Sequence, residues 1–334
     1  MKLAPNANVL VINVSRIGDT LLATPALQSI KAQIPNGKLT VLGHPKRVSV
    51  LKHLPFIDEI GAITPSRSVF KRWLVRKNQF DVAIVYGRDL PLLRFARKAA
   101  KYTVGESQAK LEYHRYLDVV ARPKEKMMHA VEQALLLPSA IGISTKDKRL
   151  SYLVSSDEQI RAKEWIDRHG LSGKTLIGLQ VSSFPTKSYR DWPVHRFAEL
   201  IDWLSSDDIQ RRFIILGDKL STPKAKMLHA QFPDLVVDAT GEFDLRSNAA
   251  LVSCLSLYVG VDTGPTHLAG ALRIPMVALY HPMHPSSVYG PLEHASAILI
   301  DHPALGSGRV KPECEMSDIQ VASVYEPATR LLSK

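Results

Sequence analysis

The sequence has few cysteines and no long apolar run, and these two absences exclude several classes of protein. Cys254 and Cys314 are its only cysteines; they cannot build a disulfide framework and lack the spacing of a metal site. No apolar run approaches the ~18 residues that a bilayer-spanning helix needs. The N-terminus lacks the apolar core and cleavage site of a signal peptide. We therefore expect reduced cysteines and a soluble, cytoplasmic chain.

Two further absences concern ligands. No strand-like run is followed by a G-x-G-x-x-G motif, which argues against a nicotinamide or methyl-donor enzyme. The sequence also lacks zinc-finger spacing, an RNP-type aromatic motif and heptads behind a basic region, so we expect no nucleic-acid partner.

Positive charge is abundant, with a net charge of +11 at pH 7. Between Ser66 and Lys126, fifteen Lys and Arg residues stand against six Asp and Glu residues. Such a segment is either a solvated basic face or a surface that attracts an anionic acceptor or a membrane.

Short β-branched runs alternate with longer helical stretches along the whole chain, which predicts an α/β fold with parallel sheets. Strands are expected at 9–14, 38–43, 58–63, 80–86 and 101–105, and again at 175–181, 212–218, 235–239, 256–262, 275–280 and 297–300. Residues 142–156 have neither period and are typical of a linker. The pattern therefore predicts two doubly wound, Rossmann-like domains with a cleft between the carboxyl ends of their strands. They comprise residues 1–145 and 155–317, and a final helix at 318–334 could pack back on the first domain.

The most specific motif is LYVGVDTGPTHLAGAL at 257–272. A strand ends before DTGPTH, where Gly264 permits close backbone approach and Pro265 suits the first helical position. Thr263 and Thr266 add hydroxyl groups beside the N–H groups of the helix end, a combination that can bind a pyrophosphate. An ordinary helix capped by Asp262 or Thr263 explains the same residues.

Two other loops of the second half follow strands. Residues 178–200 place Ser182, Ser183, Lys187 and Arg190 before a helix that begins near Pro193, which suits a phosphate-bearing donor. In that segment, Trp192 and Phe197 are expected to fix the helix against the sheet. The loop LGDKLSTPKAKM offers Asp218, either as a ribose ligand or as part of a simple turn.

The first strand is followed by SRIGDT, which carries Asp19 where a dinucleotide fold has its glycine-rich phosphate loop. A carboxylate there would repel phosphates. If the phosphates bind at DTGPTH, this loop is free to carry a carboxylate that acts on an acceptor.

These motifs together resemble the family 9 glycosyltransferases, the ADP-heptose:lipopolysaccharide heptosyltransferases. The resemblance covers nearly the whole chain and depends on four segments: SRIGDTLLATPAL, WPVHRFAEL, GVDTGPTHLAGAL and CEMSDIQVASV. The first and third are specific in combination.

The resemblance implies a GT-B fold with the acceptor on the N-terminal domain and the nucleotide-sugar on the C-terminal domain. It implies transfer of heptose from ADP-heptose to the lipopolysaccharide inner core with inversion, without a cofactor or metal. Asp19 would be the general base. Donor contacts would come from Ser182, Ser183, Asp262, Thr263, Gly264 and His267.

The resemblance also implies a place in the cell and a set of acceptor contacts. Inner-core acceptors are anionic and lie in the cytoplasmic leaflet of the inner membrane, so a peripheral location there is expected. Arg16, Arg67, Arg88 and Arg94 are the candidates to attract the acceptor.

Two departures from the family pattern leave questions open. The lysine that precedes WP in the family stands further away here, so either Lys187 or Arg190 contacts the phosphates. The loop at 281–285 is HPMHP where GPTDP is common, which leaves the sugar and the nucleotide uncertain. A different GT-B transferase, an epimerase, or a non-catalytic module that binds anionic glycolipid are the alternatives, and fold alone does not separate them.

Overall fold

The computed structural model describes residues 3–123, 127–307 and 310–333. By internal contacts the chain forms two units, which divide between Leu153 and Val154, inside the predicted linker. Lys124, Glu125 and Lys126 of the basic segment, and Lys334 of the predicted last helix, lie outside the described residues.

The first unit is a parallel six-stranded sheet with helices between its strands. The strands are β1 (Val9–Asn13), β2 (Leu39–Gly43), β3 (Glu59–Ala62), β4 (Phe80–Tyr86), β5 (Ala100–Glu106) and β6 (Val119–Ala121). The helices are α1 (Ile17–Leu22), α2 (Thr24–Gln33), α3 (Pro65–Leu74), α4 (Leu90–Ala99) and α5 (Ala130–Ser139). The strand order is β3-β2-β1-β4-β5-β6. The order therefore reverses between β1 and β4, the point at which doubly wound sheets bind ligands.

The second unit repeats this architecture. Its strands are β7 (Thr175–Gln180), β8 (Arg211–Leu216), β9 (Val236–Asp238), β10 (Leu257–Val261), β11 (Met276–Tyr280) and β12 (Ala297–Asp301). Its helices are α6 (Ser156–Arg168), α7 (Val194–Asp207), α8 (Thr222–Gln231), α9 (Leu245–Val252), α10 (Gly264–Leu272), α11 (Ser286–Tyr289) and α12 (Val321–Leu332). The order β12-β11-β10-β7-β8-β9 places the reversal between β10 and β7.

The central strands are buried on both faces because helices cover both sides of each sheet. Every residue of β1, β10 and β11 is buried. In the second unit one core includes Trp192 and Phe197, and a separate core includes Trp165 and Tyr258. Trp192 is fully buried, meets Phe197 edge-to-face at 4.9 Å, and donates its indole N–H to the Ile319 carbonyl at 2.9 Å. Trp192 and Phe197 thus fix α7 against the sheet, as predicted.

The last helix packs on the second unit. Val321, Val324, Ala328 and Leu331 of α12 enter the core that includes Trp192. By internal contacts the helix belongs to the second unit, where it contacts α7, β10 and β11. Buried residues of α12 and α7, among them Val324 and Phe197, belong to the same core. Within the described ranges, no helix combines the length and the hydropathy of a transmembrane segment.

A buried ion pair joins α6 to α9. Glu158 accepts from Arg246 Nε at 2.8 Å and from Arg246 Nη2 at 2.5 Å, and closes a capping box with Ser155. Burial alone would raise the pKa of Glu158, but the Arg246 hydrogen bonds and charge and the Ser155 N–H lower this pKa to about 2. The Arg246 cation and the Ser155 N–H group stabilise the charged form of the Glu158 carboxyl group relative to its protonated form.

We expect Glu158→Gln to lower the free energy of unfolding near pH 7 by about 3 kcal/mol. The folded pKa is depressed below the ordinary value of 4.5, so this stabilisation is complete above pH 4.5. It is lost as the pH falls toward about 2. Urea unfolding of both proteins across this range measures the effect, with Glu164→Gln on the exposed side of α6 as control. A difference that does not change with pH would contradict the ion-pair origin.

Candidate active site

The predicted donor loops of the second unit meet at its topological switch point. β7 and β10 are hydrogen-bonded neighbours, so the loop that follows Gln180 and the DTGPTH turn that follows Val261 leave the same edge of the sheet. Ligands bind at this position in doubly wound folds because the loops on either side diverge and leave a crevice. The structure thus brings together Ser182, Ser183, Arg190 and the residues from Asp262 to His267.

A buried ion pair connects the two loops. Arg190 Nη1 lies 2.8 Å from Asp262 Oδ2, with side chains 13% and 4% exposed. The other carboxylate oxygen, Oδ1, is 3.5 Å from His267 Nε2. The Asp262 carboxylate therefore contacts Arg190 in the loop after β7 and His267 near the start of α10. It links the loop to the helix. Arg190 is therefore already engaged by the protein.

The first turn of α10 is fixed by hydroxyl groups. Thr266 is 1% exposed, donates to the Val261 carbonyl at 2.5 Å and lies 2.9 Å from the Tyr258 hydroxyl. The N–H groups of Thr266 and His267 donate to the Thr263 carbonyl, and Pro265 has no N–H. A phosphate at this turn would therefore use the N–H groups of Thr263 and Gly264.

Ser183 is held by Asp191, and Asp191 is held in turn by Lys224; the sequence had indicated neither residue. Asp191 Oδ1 accepts from the Ser183 N–H and lies 2.6 Å from Ser183 Oγ, while Asp191 Oδ2 lies 2.6 Å from Lys224 Nζ. Ser182 is buried, and its carbonyl accepts from Gln180 Nε2 at 2.7 Å. Asp191 therefore shapes the loop, and its only sequence signal was its place directly before WP.

Lys187 lies in a cluster with Tyr189 and the HPMHP loop. Lys187 Nζ is 3.3 Å from the Tyr189 hydroxyl, and this hydroxyl is 3.0 Å from His284 Nε2. The Tyr189 ring also meets His281 edge-to-face at 4.9 Å. Burial would raise the pKa of Tyr189, but the hydrogen bonds and charges of Arg190 and Lys187 outweigh it and lower this pKa. The two departures from the family pattern therefore occur in residues that touch each other.

Asp218 is exposed after β8, and its Oδ1 accepts from the Leu220 N–H at 3.0 Å. This contact is the simple turn that the sequence allowed. Its use as a ribose ligand stays a prediction.

Asp19 lies at the switch point of the first unit. It is an exposed carboxylate in the first turn of α1, which follows β1 directly. The loop before it is held by Arg47, which donates to the Ser15 carbonyl at 3.0 Å, a contact that the sequence did not indicate. The carboxylate is thus at the edge of the sheet where doubly wound folds bind ligands, on a turn that Arg47 holds.

The four predicted acceptor arginines separate into two places. Arg16 and Arg88 follow the neighbouring strands β1 and β4, and Arg88 Nε is 3.8 Å from Glu106. Arg67 is exposed on α3, and Arg94 of α4 donates to the Tyr116 hydroxyl at 3.1 Å. Arg16 and Arg88 are therefore nearest to the edge that carries Asp19.

Among the residues that the structure describes, no group of three His, Cys, Asp or Glu side chains could hold a metal ion. His281 Nε2 lies 3.2 Å from the Cys314 carbonyl. The prediction of transfer without a metal or cofactor stays a prediction.

Comparison with known proteins agrees with this architecture. The family model for glycosyltransferase family 9 (heptosyltransferase) matches residues 67–316. The lipopolysaccharide core heptosyltransferase OpsX of Haemophilus influenzae is 23% identical over 276 residues, 81% of this chain and 78% of the relative. A family 9 glycosyltransferase structure from Veillonella parvula superposes with a TM-score of 0.85 at 23% identity, covering 100% and 99% of the two chains. The structure of E. coli ADP-heptose lipopolysaccharide heptosyltransferase II gives a TM-score of 0.81 at 20% identity, covering 98% of each.

Two doubly wound units with this strand order match solved structures of the GT-B fold, and the predicted fold class is confirmed. Because the family model matches well over half of the chain, the protein belongs to glycosyltransferase family 9, the heptosyltransferases. The matched segment contains every predicted donor residue from Ser182 to His267 and begins after Asp19.

Proposed function

We propose that the protein transfers heptose from ADP-heptose to the inner core of lipopolysaccharide, with inversion at the anomeric carbon and Asp19 as general base. The observation that carries the donor side is the Arg190–Asp262 pair. It connects the two donor loops, beside which helix N–H groups and Lys187 are available to an anionic diphosphate. The names of the relatives support the sugar and the acceptor class.

The leaving group of this reaction is ADP, on which negative charge develops as the glycosidic bond breaks. Fixed donors stabilise such charge without reorganising during the step. Arg190 is bound to Asp262, whereas Lys187 forms no ion pair with a carboxylate of the described residues. We therefore assign the phosphate contact to Lys187 and the bracing of the site to Arg190. Asp262, Thr263, Gly264 and His267 complete the donor site, and Asp218 lies after β8 within the same unit.

The acceptor hydroxyl is a poor nucleophile at neutral pH, so a base within about 2.6–3.2 Å must accept its proton as the new bond forms. Asp19 supports this role because it is an exposed carboxylate at the switch point of a sheet. Arg16 and Arg88 follow neighbouring strands there and would attract an anionic acceptor. The enzyme would act at the cytoplasmic face of the inner membrane, where its basic first unit meets anionic lipid.

The reaction is tested by incubating the purified protein with a lipopolysaccharide acceptor that lacks heptose and a panel of nucleotide-sugars. We expect transfer from ADP-heptose and at least about tenfold less from each UDP- or GDP-sugar, a margin that one hydrogen-bonded contact can supply. Product analysis by NMR reports the anomeric configuration. Preference for another donor would favour a different GT-B transferase, and an altered free nucleotide-sugar would favour an epimerase. Acceptor binding without turnover would favour a glycolipid-binding module.

A further inference from the structure

Helix α3 turns an apolar face toward solvent. Phe70 and Trp73 are each 75% exposed and Leu74 is 84% exposed. At about 100° per residue these three side chains occupy one narrow arc of the helix. The only buried residue of α3 is Ser68, on the opposite side. An amphipathic helix on a protein surface normally has the reverse arrangement, so burial in this unit does not explain these residues.

The segment that carries this apolar arc is strongly basic. Residues 65–80 contain five Lys and Arg residues and no Asp or Glu. The five are Arg67, Lys71, Arg72, Arg76 and Lys77. A helix that exposes Trp, Phe and Leu beside Lys and Arg has the composition of a segment that lies in a membrane interface. Charge complementarity selects an anionic lipid surface over a neutral one.

A cationic groove of about 570 Å³ adjoins the helix on the side of α4. It is lined by Arg72, Trp73, Arg94, Arg97, Lys98 and Tyr116. Arg97 is neutralised by Asp118 at 2.6 Å. Within residues 3–123, 127–307 and 310–333, Arg72, Arg94 and Lys98 form no ion pair with a carboxylate. The groove therefore offers positive charge at the border of the exposed apolar face.

We propose that α3 is the membrane-docking helix of this enzyme. Phe70, Trp73 and Leu74 insert into the interface of an anionic bilayer, and the surrounding cations and the adjoining groove bind lipid phosphate groups. The inference deepens the proposed peripheral location, on which it rests, by assigning docking to one helix. It does not depend on the identity of the donor.

The test uses the full-length protein and vesicles of equal parts phosphatidylglycerol and phosphatidylcholine. We expect F70S/W73S/L74S to weaken vesicle binding by at least about a hundredfold, since burial of one such side chain contributes about tenfold or more. I209S/M227S removes apolar side chains of similar exposure from the second unit and should bind as wild type does.

The contribution of charge is tested separately. R72Q/R76Q should weaken vesicle binding more than R161Q/K163Q, which removes the same charge from α6. Raising the salt from about 0.1 M to about 1 M should weaken wild-type binding steeply.

Insertion itself is read from tryptophan emission. Wild type should shift to the blue with vesicles and be quenched by brominated lipid, whereas W73F should bind vesicles and show neither change. Unchanged emission of wild type, or wild-type binding by F70S/W73S/L74S, would overturn the assignment of α3 as a membrane-docking helix. The exposed apolar face would then favour a protein partner. Transfer to a detergent-dispersed acceptor, measured in parallel, should be retained by F70S/W73S/L74S. If the wild-type protein transfers no sugar in that assay, the proposed function is contradicted, whereas the assignment of the docking helix is not.

Discussion

Asp19→Asn is expected to lower kcat by about 10²- to 10⁴-fold while the affinity for ADP stays within about twofold of wild type. The substitution keeps the size of the side chain and removes the group that accepts a proton from the acceptor. The donor loops belong to the second unit, and Asp19 belongs to the first, so nucleotide binding has no reason to change. Steady-state transfer and calorimetric titration with ADP measure the two quantities.

The matched control is Glu112→Gln, which removes an exposed carboxylate from the same unit and should leave kcat unchanged. Equal losses of turnover and ADP affinity in Asp19→Asn would mean that the residue supports the site in general. A variant that keeps most of its turnover would require another base. Asp89, which precedes α4, would then be the next residue to replace, since β4 borders the same switch point.

Replacement of Arg190 and replacement of Lys187 are expected to have different consequences. Arg190→Met leaves the Asp262 carboxylate buried without its main cation. Breaking a buried pair costs about 3–5 kcal/mol of unfolding free energy, and we expect the lower end because His267 remains beside Asp262. ADP affinity should fall with it, since the two donor loops lose their connection. Urea unfolding and ADP titration measure these losses.

Lys187→Met should weaken ADP binding by about 10- to 100-fold, the contribution of a hydrogen bond to a charged group. It should change the unfolding free energy by no more than about 0.5 kcal/mol, because the polar and ring contacts of the Lys187 ammonium, within the described residues, are with Tyr189. Arg161→Met, an exposed cation of α6, controls for net charge. Stability loss in Lys187→Met, or weaker ADP binding in Arg190→Met without stability loss, would reverse the two assignments.

The fold followed closely from local sequence. Apolar runs such as VLVIN predicted central strands. Both faces of a parallel sheet are buried, so its strands need no alternation of apolar and polar residues. Helix α10 begins at Gly264 and has Pro265 in its first turn, as DTGPTH predicted, since Pro at an early helical position needs no intrahelical N–H bond. The three-residue strand β6 was not predicted, because its few residues carry too little pattern and depend on pairing with β5.

The chemistry of the site was predicted only in part. The sequence by itself determined the residue types of the two donor loops, Asp19 at the mouth of the first strand, and the repeated doubly wound pattern. Only the tertiary structure decided which of these side chains bind other residues of the protein and which are available to bind a ligand. Arg190 is bound by Asp262, and Ser183 by Asp191, across separations in the chain that no local pattern encodes. It also decided that the basic segment exposes Phe70, Trp73 and Leu74. Hydrophobicity gives a side chain its preference for burial, but packing against neighbouring elements decides which face of a helix is covered.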